Sequence, residues 1–331
     1  MNPESGRRGK RWEPHNLLRY GSKSLLTTGQ RFGARSLALP FGFARRSQSK
    51  IYGQIGSLEV RLAHSRGDVR RAQRLRYQVF YEEMSAKPNL KAQLRKRDQD
   101  PYDKLCDHLL VYDTEKIVVH PTGRRRPQVV GTYRVLRQDM RMGSRGFYTQ
   151  TEYNIAPLIA SKSPRYRFME LGRSCVLKPY RNKRTVELLW QGLWSYVREH
   201  NVDVMIGCAS FEGTDPEAHA QALSLLYHDR LAPKDWYVRA HEDLFVNMNR
   251  IAKDRIDTKA ALKALPPLIK GYLRLGAYIG DGAVIDHQFG TTDVLIILPV
   301  ENIDPRYFEH FGAPNERQSR VAAGLPVGSG P

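Results

Sequence analysis

Acidic residues are scarce in this chain of 331 residues: 34 Asp and Glu stand against 53 Lys and Arg, leaving a net charge of +19. Such a surplus implies an anionic partner, whether nucleic acid, an anionic membrane surface or an acidic protein, although part of it is ordinary solvated surface. Cysteine is nearly absent. Cys106, Cys175 and Cys208 are an odd number with no CxxC spacing, which excludes a disulfide framework and a zinc ribbon and points to a reducing compartment. No metal is expected, and each thiol reads as a small buried hydrophobe. No apolar run approaches the roughly 20 residues of a bilayer span, so the chain is not expected to be an integral membrane protein. Internal repeats are lacking too, as are helix-turn-helix and RNA-recognition motifs. Aromatic residues do not interleave with the basic runs, so nucleic acid is not an expected partner. What remains is an ordinary globular composition, 41% apolar and 26% charged, in a chain long enough to bury a core.

Three regions follow from composition. Residues 1–56 read as a flexible basic arm. The first 50 carry 11 Lys and Arg against Glu4 and Glu13, about half of the whole surplus. Two readings of the arm stay open, one in which it settles on anionic lipid and one in which it is a plain solvated tail. Residues 57–312 read as the folded domain and 313–331 as a flexible tail. Within the domain, Leu58–Leu62 alternates as a strand. Asp68 is a good N-cap for a helix reaching about Met84. Lys91–Asp100 reads as a loop, followed by strands at His108–Tyr112, Gln128–Leu136 and Phe168–Val176. Val186, Leu189, Trp190, Leu193, Trp194 and Val197 recur at helical spacing. Asp203–Ala209 is a short strand, Asp215-Pro216 opens a helix to about His228, and Trp236–Arg239 and Thr292–Pro299 read as closing strands. Lys259–Gly276 is helical with a break at Pro266-Pro267. The order predicts an α/β (α+β) fold containing a βαβ unit within a mixed sheet.

Four clusters carry chemistry. In strand Phe168–Val176, a bulge at Gly172 would let Glu170 and Arg173 address one cleft; without it they are an exposed ion pair. Arg181, Lys183 and Arg184 precede the long helix, where free N–H groups suit a phosphate; the bland alternative is a basic turn. Asp98, Asp100, Asp103 and Asp107 form an acidic group in a basic chain. Asp100 and Asp103 could hold an ammonium or only neutralise Arg95–Arg97. Arg76 and Arg134 could each clamp a carboxylate through the guanidinium fork.

Together, Arg74–Phe80, Asp100-Pro101-Tyr102-Asp103, Val130–Arg134 and Glu170-Leu171-Gly172-Arg173 resemble, in order, the pattern of acyl-homoserine-lactone synthases, relatives of the GNAT superfamily of N-acyltransferases. Further runs, Glu170–Val176 with Pro179–Trp194, Asp203–Asp215, Leu265–Gly276 and Ile285–Pro299, resemble bacterial L-ornithine N-α-acyltransferases, so that the similarity covers roughly residues 57–312. The resemblance implies a GNAT-like mixed, mostly antiparallel sheet flanked by helices. It also implies transfer of a 3-hydroxy fatty acyl group from acyl carrier protein to the α-amine of L-ornithine, giving lyso-ornithine lipid. No permanently bound cofactor is implied; the phosphopantetheine thioester of the carrier is a co-substrate. The implied setting is cytoplasmic, with peripheral attachment to the inner membrane open.

By matched position, Glu170 and Arg173 are the catalytic pair, with Glu170 as base. Arg76 or Arg134 would fix the ornithine carboxylate, and Asp100 and Asp103 the δ-ammonium. The backbone of Ser174, Cys175 and Val176 would hold the oxyanion. Arg181, Lys183 and Arg184 would meet the carrier's phosphate and acidic surface. The chain lacks the glycine-rich pyrophosphate loop of the wider superfamily, which weighs against coenzyme A as donor. An autoinducer synthase acting on S-adenosylmethionine is the nearest alternative, disfavoured by the C-terminal half.

Overall fold

A computed structural model describes residues 50–84, 86–120, 122–140, 146–307, 314 and 316–325; the basic arm up to residue 49 lies outside these. Alternation of buried and exposed residues builds the first strands. β1 (Ile51–Ile55) and β2 (Leu58–Leu62) pair antiparallel, so a strand already precedes the expected start near Ser57. The following helix, α1 (Arg66–Tyr77), is capped by Ser65; Asp68 is the third residue of its capping box rather than the cap itself. α1 then widens into a π-helix over Gln78–Glu83, with the Met84 N–H reaching back to the Val79 carbonyl at 3.0 Å. The expected single helical stripe to Met84 is therefore broken, and Met84 is exposed. The charged run expected as a loop contains a short helix, α2 (Leu90–Arg95), with Asn89 as its cap.

β3 (Asp107–Val119) and β4 (Arg125–Arg137) form a hairpin longer than their apolar centres indicated. α3 (Ala156–Lys162) leads to β5 (Phe168–Val176), α4 (Lys183–Glu199), β6 (Val204–Glu212) and α5 (Ala220–Arg230). Asp215 caps a 3-10 turn ahead of α5. α6 (Thr258–Ala264) and α7 (Pro267–Arg274) are divided at Pro266-Pro267 as expected. β7 (Tyr278–Asp286), absent from the sequence reading, pairs with β8 (Thr291–Pro299). Trp236–Arg239 is not a strand. Within it only Arg239 makes an isolated bridge, to Asp281 of β7. Within the expected loose end, α8 (Glu316–Ala322) is helical, and its Gln318 is buried, donating to the Val202 carbonyl at 2.6 Å.

Among the described residues eight strands form one sheet in the order β1-β2-β3-β4-β5-β6-β8-β7, antiparallel except for β5 beside β6. The expected mixed, mostly antiparallel sheet is thus the observed one. α4, α5 and α7 cover one face, over Val60, Val111, Met205 and Ile296. α1 covers Leu110 and Tyr112 on the other face, and α3 covers Val204 and Ile206 there. α4 lies close: a methyl at Gly192 would stand 2.5 Å from Val60.

The parallel pairing positions the site. β5 and β6 are matched only at Phe168↔Val204, Met169↔Met205 and Glu170↔Ile206, and beyond Glu170 they part. At the parting point Gly207 lets β6 pass close to β5, since an added Cβ would lie 2.3 Å from the Leu171 carbonyl oxygen. β5 also buckles on its other side. Arg134 opposes Gly172 and Thr132 opposes Cys175, so one extra residue is accommodated in β5, and Arg173 adopts φ +51. This is the bulge the sequence reading placed at Gly172, with the left-handed conformation taken by the arginine one residue on. We expect Gly207→Ala to destabilise the fold by about 1–3 kcal/mol, read as a thermal midpoint lower by several degrees. An unchanged midpoint would show that the close approach is not a constraint.

Candidate active site

Where β5 and β6 separate, a cavity of about 460 Å³ opens through the sheet. Strand alternation divides its lining between the two faces. Arg134, Glu170, Cys208, Ser210 and Asp293 share the face of α1 and α3, while Tyr133, Met205, Ala209 and Ile296 belong with α7 on the other. The π-helical turn contributes Val79, Phe80 and Met84, and the α7 region contributes Leu268 and Tyr272. One wall is therefore polar and the other apolar.

Behind the polar wall lies a block of three arginines and three aspartates. Arg76, fully buried, donates from Nε to Asp98 (2.8 Å) and from Nη2 to both carboxylate oxygens of Asp103 (2.9 Å each). Arg134 Nη1 reaches Asp100 (2.5 Å) and Asp103 (3.1 Å). Arg173 lies 3.4 Å from Asp98 and 3.3 Å from Asp100. Asp100 also caps the turn Pro101–Lys104 in a capping box with Asp103, and Gln73 donates to Asp103 at 2.8 Å. Against the upward push of burial, the Arg76 and Arg134 guanidiniums hold Asp103 well below the usual carboxylate range. Arg134 and Arg173 also line the cavity; Arg76, Asp100 and Asp103 do not. The last three instead pair with one another and with Arg134 and Arg173 behind the lining.

Glu170 is buried and lines the cavity at the last paired position of β5. Its oxygens accept from the Tyr148 N–H (2.8 Å), the Thr149 N–H (2.6 Å) and the Thr149 hydroxyl. Burial raises its pKa, and these donors oppose the rise. The expected pair is thus brought to one cavity, with Glu170 aimed by the Tyr148–Thr151 turn and Arg173 stacked at 5.1 Å over Tyr148 and 4.7 Å over Phe289.

The sequence reading missed three further acids in the lining: Glu152, Asp286 and Asp293. One carboxylate oxygen from each lies within 4.8 Å of the others, an arrangement able to hold a cation. Burial, reinforced by Asp293, pushes Glu152 up to about 7. Burial pushes Asp293 up to about 6, with Asp286 adding to the rise against the Ser210 and Thr291 hydroxyls.

Among the backbone groups expected to hold an oxyanion, Leu177 donates to the Val130 carbonyl of β4 at 2.9 Å. Alternation then turns the Cys175 N–H toward β4 and the Val176 N–H into the gap left by β6. Ser174, inside the bulge, and Val176 lie beside the cavity. All three cysteines line it. Cys175 is buried as expected, Cys106 and Cys208 only partly, and burial pushes Cys106 and Cys175 up to about 12, far from a neutral-pH thiolate. In the basic turn, Asn182 caps α4 by accepting from Thr185 N–H at 3.1 Å. Arg181 lines the cavity, tied to Glu83 and the Val176 carbonyl. Lys183 and Arg184 are exposed outside it.

Residues 75–191, which include the parting strand β5 and its carboxylate, match the acetyltransferase (GNAT) domain family, a class of N-acyltransferases. Relatives narrow this class. The L-ornithine N(alpha)-acyltransferase of Brucella abortus (strain 2308) is 52% identical over 83% of this chain and 96% of its own length. The enzyme of the same name from Agrobacterium fabrum is 52% identical over 81% of this chain and 89% of its own. That from Rhodobacter capsulatus is 39% identical over 77% and 95%. The chain belongs to the L-ornithine N(alpha)-acyltransferase family.

Removing one partner of a buried ion pair strands the other charge. Asp103→Asn should therefore cost about 3–5 kcal/mol of stability, measured by denaturant unfolding at neutral pH. Because its folded pKa is depressed, Asp103 contributes fully above about pH 4 and loses that contribution as the pH falls toward the folded value. The variant should accordingly lose less stability than the wild type on acidification below about pH 4. Equal acid slopes would contradict the assignment.

Proposed function

We propose that this protein transfers a 3-hydroxy fatty acyl group from acyl carrier protein to the α-amine of L-ornithine, giving lyso-ornithine lipid. The observation that carries the reading is the Glu170 carboxylate held inside the cavity where β5 and β6 part; the name shared by the relatives supplies the amino acid. The thioester arm of the carrier enters between the two strands, its acyl chain against the apolar wall formed by Val79, Tyr272 and Ile296. The α-amine, its proton drawn to Glu170 directly or through water, attacks the thioester carbonyl. The Val176 N–H, with that of Ser174 in the bulge, stabilises the oxyanion. The C–S bond then breaks, and the departing thiolate takes up the proton given up by the attacking nitrogen, returned from Glu170 directly or through water. Arg134, whose ion pairs run through Nη1 alone, faces the ornithine carboxylate. Cys175 takes no part, since direct transfer needs no acyl-enzyme.

Arg181 at the cavity, with Lys183 and Arg184 outside it, meets the carrier's phosphate and acidic surface, where charge chiefly speeds encounter. This reading places the enzyme in the cytoplasm, its basic arm settling on anionic lipid of the inner membrane. Among the described residues no helix is long and apolar enough to cross a membrane.

Mass spectrometry of products from 3-hydroxyacyl-carrier protein with ornithine or with S-adenosylmethionine tests the reaction; the acylated product should form only from ornithine. Glu170→Gln should lower kcat by about 10²- to 10⁴-fold, whereas Cys175→Ala should retain turnover. Wild-type rates in the Glu170 variant would remove the base assignment, and a folded but inactive Cys175→Ala protein would overturn the direct route.

A further inference from the structure

The charges around the cavity do not balance. In the block behind the polar wall, Arg76, Arg134 and Arg173 match Asp98, Asp100 and Asp103 one for one. Glu152, Asp286 and Asp293, on the same face beyond β6, form no ion pair among the described residues. Glu152 is 8% and Asp293 7% exposed, and Glu152 Oε2 and Asp293 Oδ1 are buried without a hydrogen-bond partner. Buried unpaired acids are costly unless something compensates them.

The three are also held rigidly. Tyr153, fully buried, places its hydroxyl 2.9 Å from the Gly282 carbonyl and 3.2 Å from that of Asp293, tying the Glu152 loop to β7 and β8. The His241 N–H donates to the Glu152 carbonyl at 2.9 Å. Asp286 uses Oδ1 to cap the β7–β8 turn, accepting from Gln288 (2.7 Å) and Phe289 (2.9 Å). Asp293 is fixed mid-sheet, opposite Ser210 on β6 and Val284 on β7.

We propose that Glu152, Asp286 and Asp293 form the subsite for the distal ammonium group of the amino-acid substrate. A primary ammonium has three N–H donors, and here one oxygen from each of three carboxylates lies within 4.8 Å of the others. A hard divalent cation would need about six oxygens, several of them water. The seated ammonium neutralises the cluster and leaves the α-amine as the free nucleophile. This assignment rests on the ornithine reading above and replaces Asp100 and Asp103, whose charges the arginines already occupy.

The discriminating substrate is norvaline, which is ornithine without its distal amine. In the wild type, kcat/KM should favour ornithine over norvaline by at least about 10²-fold, since a site built to bond an N–H rejects an analogue lacking it. Asp293→Asn and Glu152→Gln should cut this ratio by roughly tenfold or more, mainly through the KM for ornithine. Asp286→Asn, at a half-buried position, repeats the test should the buried variants fold poorly. Ornithine, but not norvaline, should raise the thermal midpoint of the wild type and not of the variants. That shift reads the subsite even if the transfer reaction is not the one proposed. An unchanged ratio and shift in folded variants, a kcat loss shared equally by both substrates, or activity abolished by EDTA and restored by Mg²⁺ would each overturn the assignment.

Discussion

The buried pairing of Arg76, Arg134 and Arg173 with Asp98, Asp100 and Asp103 is the constraint from which the rest of the site follows. It joins α1, the Asp98–Asp103 segment, β4 and β5 in one charge-neutral unit. Arg173 occupies a left-handed backbone conformation that a residue with a side chain visits at a cost of about 1–3 kcal/mol. Its two carboxylate partners and the flanking Tyr148 and Phe289 rings hold it there. With β5 bulged at that residue, its ladder to β6 ends at Glu170.

What opens is a passage with two chemistries. A sheet face alternates by residue, so a gap through the sheet exposes both faces at once. Here one face carries acids and the arginine block, and the other carries aromatic and aliphatic side chains. A reaction that joins a charged amino acid to a fatty chain requires both surfaces within reach of one carbon atom. Glu170 stands at the boundary, anchored by backbone N–H groups of Tyr148 and Thr149 that restrain its orientation without neutralising it. The π-helical turn serves the apolar side by breaking the α-helical stripe and turning Phe80 and Met84 toward the cavity.

Periodicity made much of this legible. β5 falls where a strand was expected, and in α4 the 3.6-residue spacing finds the buried Leu189, Leu193, Trp194 and Val197, although Val186 on the same stripe is exposed near the N-terminus of the helix. Glu170 and Arg173 stood out as charged residues beside a glycine on an otherwise apolar strand, and only a bulge could bring them to one side. The Asp100, Asp103, Arg76 and Arg134 group was also visible, but sequence alone does not say whether a buried charge is spent on a neighbour or kept for a ligand. In the structure Arg76 is fully enclosed, with carboxylates on two of its nitrogens. Glu152, Asp286 and Asp293 were missed because their meeting depends on the register of β6, β7 and β8 and on a loop some 140 residues earlier, which no local pattern encodes. One signal was present: Asp293 is the single charged residue in the run Thr292–Pro299, a strand buried along its whole length.

A crystal structure with ornithine bound tests the account most directly. It should show the α-nitrogen within hydrogen-bond reach of the Glu170 carboxylate, directly or through one water, and the distal nitrogen among Glu152, Asp286 and Asp293. Ornithine bound with its α-nitrogen remote from Glu170, or outside the passage between β5 and β6, would contradict it.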